Sequence, residues 1–114
     1  MAKISPEKIT RYADMLAAMG TEHRLRIMQL LLAAHPDGLV VGEIQAEVGI
    51  TPSNLSHHLE KLKYEELITV AREGSFLRCT ANTAVIQDLL GFLLTECCSR
   101  NKAIDPDRFI QICK

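Results

Sequence analysis

A chain of 114 residues with 47% hydrophobic and 24% charged residues fits one globular domain. At this size a large share of the surface stays exposed, which favours the pairing of two copies. A formal net charge of −1 excludes overall basicity as a basis for nucleic-acid binding, so any such reading has to rest on local pattern. Three Phe, two Tyr and no Trp argue against a platform that stacks single-stranded bases.

The opening MAKISPEKIT lacks the apolar run of a signal peptide, and no stretch approaches the roughly 20 apolar residues of a membrane span. The expected location is the cytoplasm, without a membrane partner, where thiols stay reduced. The four cysteines, Cys79, Cys97, Cys98 and Cys113, are therefore expected to be ligands, sensors or core residues rather than structural disulfides.

In chain order, Ser5-Pro6 reads as a helix cap with proline in the first turn. Ile9, Tyr12, Ala13, Leu16 and Ala17 continue at helical spacing to about Met19, and Gly20 ends the run. Thr21 caps a second helix with Leu25, Met28, Leu31 and Leu32 on one face, and AAHPDGL breaks it. A short helix through Glu43, Ile44 and Val48 closes at Gly49. Thr51-Pro52 opens the next, with Leu55, Leu59 and Leu62 along one side. In LITVAREGSFLRCT the period falls to about 2, which predicts two short strands turning at Glu73-Gly74. Thr83 to Arg100 returns to helix with an apolar stripe of Ile86, Leu89, Leu90, Leu93 and Leu94. Asp105-Pro106 caps a last short segment with Phe109, Ile112 and Cys113 on one side.

This order predicts a mostly α fold with a β-hairpin wing: a winged helix-turn-helix over residues 1–104, followed by a tail at 105–114. The helix from Pro52 is the candidate DNA reader. With its leucines inward, Ser53, Asn54, His57 and Lys61 point outward and Ser56 sits at the margin, short polar groups suited to base edges in a major groove. Thr51 and the amides of the first turn suit a phosphate, and Arg72 beside the wing turn suits phosphate or minor groove. An ordinary solvated helix shows a similar polar face; the surrounding order of elements favours the double-stranded DNA reading. His58 is expected to pack, partly buried, rather than to ligate a metal. Within 51–80, Lys61, Lys63, Arg72 and Arg78 are balanced by Glu60, Glu65, Glu66 and Glu73, which predicts a modest, salt-sensitive non-specific affinity.

The stretches LAAMGTEHRLRIMQLL, GLVVGEIQAEVGITPSNLSHHLEKLKYEELITV and REGSFLRCT resemble the ArsR/SmtB family of bacterial repressors over about residues 11 to 80. The resemblance implies a homodimer through the first and last long helices. It also implies a pseudo-palindromic operator that is released when a metal, a metalloid or an oxidant binds. The chain departs from the family pattern at two places. Where many arsenic and cadmium members carry a cysteine pair in the short helix, Val40 and Gly42 stand here. Where zinc and nickel members carry Asp and His along the last helix, this one has Asp88 and no histidine. Cys97, Cys98 and Cys113 remain, similar to a branch of arsenic repressors with a cysteine pair late in the last helix. One subset there adds a third cysteine for arsenite; another holds methylated arsenite with two.

The residues suit that chemistry. Adjacent cysteines make a strained disulfide, whereas trivalent arsenic is soft and takes three thiolates as arsenite or two as methylarsenite. If both are helical, Cys97 and Cys98 are expected about 100° apart, and a slightly frayed helix end would let both sulfurs converge on one ion. Zinc fits less well, since a closed site wants four ligands. The competing reading is packing: Cys97 and Cys98 continue the apolar stripe four residues after Leu93 and Leu94. Cys79, alternating with Leu77 on a wing strand, reads as packing, and Cys113 as third ligand or plain tail residue. The expected function is a DNA-binding repressor released by trivalent arsenicals, arsenite or methylarsenite, with antimonite a further candidate. The alternatives are a thiol-redox repressor pairing Cys97 or Cys98 with Cys113, and a thiol enzyme. The last is disfavoured by the absence of C-x-x-C and of a cofactor loop.

Overall fold

The sequence supplies helix caps at the expected places, and they act as such. Ser5, Thr21 and Thr51 sit in extended backbone, and each side-chain oxygen accepts from the amide three residues on: Lys8 at 3.3 Å, Arg24 at 3.3 Å and Asn54 at 3.2 Å. The computed structural model describes residues 5–96. They form α1 (Pro6–Met19), α2 (Glu22–Ala33), β1 (Leu39–Val40), α3 (Val41–Val48), α4 (Pro52–Tyr64), β2 (Ile68–Glu73), β3 (Phe76–Ala81) and α5 (Thr83–Glu96). The chain divides into two units, Met1–Thr83 and Ala84–Lys114. Cys97, Cys98, Cys113 and the expected tail 105–114 lie outside the described residues. Among the described residues, no helix is long and apolar enough to cross a membrane.

In the first unit the expected leucines of α4 are buried: Leu55, Leu59 and Leu62 pack inward with Met15 and Ala18 of α1, Ile27, Met28 and Leu31 of α2, and Ile44 of α3. Each of these Leu, Ile and Met side chains contributes about 1.5–3 kcal/mol of transfer free energy. The inward faces of α1 and α2 differ from the expected ones. Ile9 and Leu16 are exposed while Met15 and Ala18 are buried; Leu25 and Leu32 are exposed while Ile27 is fully buried. Both exposed pairs are seven residues apart and so lie on one line of their helix. The apolar residues of each helix span more than one side, and spacing alone could not tell which side meets the core.

The sheet has three antiparallel strands in the order β1-β3-β2. β2 and β3 form the wing, paired from Ile68↔Ala81 at the root to Glu73↔Phe76 at the tip. Its turn residues are Gly74 and Ser75, one position later than expected. Of the two only Gly74 has positive φ, where a type II′ turn places glycine. Along β3, Cys79 and Ala81 are buried and Leu77 and Phe76 exposed, so the wing leaves the core as it approaches its tip.

β1 was not expected, because two residues are too few to show a period. It pairs Leu39 with Cys79 and Val40 with Arg78. The chain enters it through Gly38, a buried glycine with φ +74, where an added Cβ would overlap the Cys79 carbonyl oxygen and meet Thr80 Oγ1 at 2.9 Å. Gly49, which ends α3 with φ 74 and donates its N–H to the Gln45 carbonyl at 2.8 Å, has open space around it. Gly49→Ala should therefore cost only the left-handed backbone strain, about 1–2 kcal/mol. Gly38→Ala should cost more than about 3 kcal/mol, since β1 has to part from β3. Urea unfolding of the two variants checks this; equal losses would show that β1 does not depend on the close approach.

Candidate nucleic-acid interface

The short helix α3, the Gly49-Ile50 turn and α4 form the helix-turn-helix. Val40 has no polar side chain to cap α3, and the Glu43 carboxylate instead accepts from the Val40 amide at 3.0 Å. Gln45 Nε2 donates to the Ile50 carbonyl at 3.3 Å, which ties the turn to α3. Sequence reasoning passed over this Gln, because a polar residue on a short helix carries no signal of its partner.

Because α4 buries Leu55, Leu59 and Leu62, its other side faces solvent. Thr51, Ser53, Asn54, Ser56, His57 and Lys61 are all exposed, as is Arg72 on β2. They thus share the solvent side of α4 and the adjoining wing strand, with Ser56 and Arg72 lining one cavity between α4 and β2. The Asn54 amide is taken by the Thr51 hydroxyl and the Leu55 amide by the Thr51 carbonyl, and Pro52 has no N–H, which leaves the Ser53 amide of the first turn to approach an anion. The two wing arginines divide. Arg78 donates from Nε to both Glu73 carboxylate oxygens at 2.9 Å and from Nη1 to the Asp37 and Gly38 carbonyls at 3.3 and 3.5 Å. Arg72 has no ion pair or side-chain hydrogen bond among the described residues, so its guanidinium is available to a phosphate.

His58 packs as expected, half-buried, but it also has a partner. Arg24 donates from Nε to the Ala18 carbonyl at 2.5 Å and from Nη1 to His58 Nδ1 at 3.2 Å, joining the end of α1, the start of α2 and the middle of α4. Arginine only donates, so Nδ1 accepts and the ring is neutral with its proton on Nε2. Burial first, then the neighbouring positive charge of Arg24, with smaller contributions from His23, His57 and Lys61, pushes the His58 pKa below its ordinary 6.5. The rings of His23 and His57 stand 5.5 and 6.1 Å from that of His58.

Among the described residues, no group of three or more His, Cys, Asp or Glu side chains is placed to hold a metal ion. Of the two positions expected to match the family's short-helix thiols, Val40 lies in β1 just before α3 and Gly42 is solvent-exposed in its first turn. Cys79 is fully buried and burial pushes its thiol pKa up, so it packs as a neutral side chain.

Architecture and polar face together define a winged helix-turn-helix DNA-binding protein. Residues 19–71 match a family model described as a helix-turn-helix domain. The transcriptional repressor SdpR of Bacillus subtilis is 31% identical over 81 residues, covering 71% of this chain and 87% of that one. A putative arsenical resistance operon repressor, ArsR2 of Halobacterium salinarum, is 32% identical over 79 residues, covering 68% and 66%. The crystal structure of NolR from Sinorhizobium fredii superposes with a TM-score of 0.63 at 30% identity, covering 83% of this chain and 95% of that one. The chain belongs to the ArsR/SmtB family of winged helix-turn-helix transcriptional repressors, and it is not an enzyme.

The Arg24–His58 contact has a pH signature. A histidine whose folded pKa is depressed contributes stability that is fully present above about 6.5 and is lost as pH falls through the folded value. Between about pH 8 and about pH 5, the wild-type chain should lose more stability than His58→Gln, read as the urea midpoint of each protein. Parallel pH profiles would show that the contact does not hold a neutral ring.

Proposed function

We propose that this repressor reads its operator with Ser53, Asn54, Ser56, His57 and Lys61 of α4, holds phosphates with Thr51, the Ser53 amide and Arg72, and is released by a trivalent arsenical bound at Cys97, Cys98 and Cys113. The observation that carries the inducer assignment is one vicinal thiol pair with a third thiol fifteen residues after Cys98, in a chain that lacks the family's other ligand sets at Val40, Gly42 and the last helix. Soft trivalent arsenic suits that thiol count, three sulfurs for arsenite and two for methylarsenite. The arsenical-resistance relative, ArsR2, supports the same direction.

The operator-bound form is a homodimer through α1 and α5. In support, α1 leaves Ile9 and Leu16 exposed, and α5 carries a stripe of Ile86, Leu90, Leu93 and Leu94. Arsenical binding at the end of that stripe alters how the two copies pair, and with it the spacing of the two α4 helices, which has to match about one turn of DNA. A coupling of about 1–3 kcal/mol between inducer and operator is typical of such an arrangement.

Fluorescence anisotropy on labelled operator, with sedimentation to read the dimer, tests both parts. Asn54→Ala and His57→Ala should each lower operator affinity by about 1–3 kcal/mol. Full operator discrimination in both variants would remove them from the base-reading set. Cys97→Ser and Cys98→Ser should each retain operator binding and lose release by arsenite and by methylarsenite. Cys113→Ser should lose the arsenite response and keep the methylarsenite response. A double Cys97→Ser, Cys98→Ser variant that still releases with arsenicals overturns the site. Release by peroxide alone would assign the thiols to redox sensing.

A further inference from the structure

Between α4 and the wing lies a cavity of about 300 Å³ that the reading above leaves unused. Leu59 of α4 with Val70, Leu77 and Cys79 of the wing give it an apolar wall, and Ser56, Glu60, Lys63 and Arg72 bring polar groups to the same space. Its volume is at the lower end of the range for small-molecule sites and about ten times the ~30 Å³ a water takes in the liquid. Such a space takes a compound of about ten non-hydrogen atoms.

The charges say which kind. Glu60, Lys63 and Arg72 make no ion pair or side-chain hydrogen bond among the described residues, unlike Arg78, which Glu73 occupies. The three uncommitted charges sum to +1, so a monoanion brings the lining to neutrality. All three side chains are solvent-exposed, so an uncharged ligand costs them little, and the net positive charge of the lining is what favours an anion. Arg72 can meet a carboxylate with two parallel hydrogen bonds, and the Ser56 hydroxyl can donate a further one. The Cys79 thiol, neutral and buried, belongs to the apolar wall.

We propose that this cavity binds a small amphipathic monocarboxylate, its apolar body against Leu59, Val70, Leu77 and Cys79 and its carboxylate on Arg72 and Lys63, and that occupancy lowers operator affinity. The second half rests on the reading of Arg72 and Ser56 as DNA contacts: a carboxylate on Arg72 and a phosphate on Arg72 exclude each other. This gives the repressor an effector input on the DNA side of the fold, independent of the C-terminal cysteines.

The test uses the full-length protein with benzoate, phenylacetate and hexanoate as probes and phenylacetamide as the uncharged counterpart. Methyl NMR without DNA should show Leu59, Val70 and Leu77 shifting together on addition of at least one acid. The acids should bind at least about tenfold more tightly than the amide, a difference of about 1.4 kcal/mol. Arg72→Gln and Lys63→Gln should each weaken the acid by about fivefold or more with the fold intact by circular dichroism. In anisotropy, the bound acid should lower operator affinity in the wild type and in the Cys97→Ser, Cys98→Ser double variant alike. No methyl shift with any acid up to about 10 mM, or equal binding of acid and amide, overturns the site. Acid binding that leaves operator affinity unchanged overturns the coupling, while the arsenical response of the same preparation is read separately.

Discussion

The face that α4 presents to solvent follows from one constraint: the helix has to bury Leu55, Leu59 and Leu62. Those residues close the core with Ile27, Met28 and Leu31 of α2, and the helix can satisfy them in only one rotational setting. That setting turns Ser53, Asn54, His57 and Lys61 outward; among the described residues their side chains make no hydrogen bond or ion pair, and His57 has only its ring contact with His58. Arg24 fixes the same rotation from a second direction, through its bond to His58 on the flank of α4. The polar surface is therefore made rigid from behind, as the base-reading role proposed for α4 requires.

How much of this is legible from sequence depends on whether the signal is local. Caps are local, and Ser5, Thr21, Thr51 and Gly49 mark helix ends that the structure confirms within a residue. The α4 leucines and the period change into the wing are local as well. The inward faces of α1 and α2 are not, because Ile9 and Leu16, or Leu25 and Leu32, are as apolar as the residues that bury. Only the neighbours decide. β1 exists because Gly38 lets two residues approach Cys79, a contact across some forty positions.

The interface divides along the same line. The polar face of α4 could be read off once its leucines were placed. Which arginine stays uncommitted could not: Arg72 and Arg78 look alike in sequence, and the difference is that Arg78 reaches Glu73 and the carbonyls before β1, whereas Arg72 makes no ion pair or side-chain hydrogen bond among the described residues. The Arg24–His58 bond was equally invisible, since nothing in a helix-start arginine indicates a histidine 34 positions on. The thiols at 97, 98 and 113 remain a matter of residue chemistry and count.

The end of α4 carries a consequence of its own. Glu66, with φ 62, follows the helix in the left-handed position of a Schellman motif. Its amide donates to the Lys63 carbonyl at 2.9 Å and that of Leu67 to the Leu62 carbonyl at 3.0 Å, with both leucines fully buried. Asn82 then fastens the far end of the wing to the same point, its side-chain amide on the Glu66 carbonyl and its backbone amide on that of Leu67, at 3.0 and 2.9 Å. α4 and both wing strands are thus rooted in one hydrogen-bonded joint only three residues long. Lengthening that joint would detach the wing from the helix, whereas residues added at the exposed Gly74-Ser75 tip disturb none of these bonds. Divergence in how far the wing reaches along a DNA backbone can therefore accumulate at the tip while the angle between helix and wing is inherited unchanged.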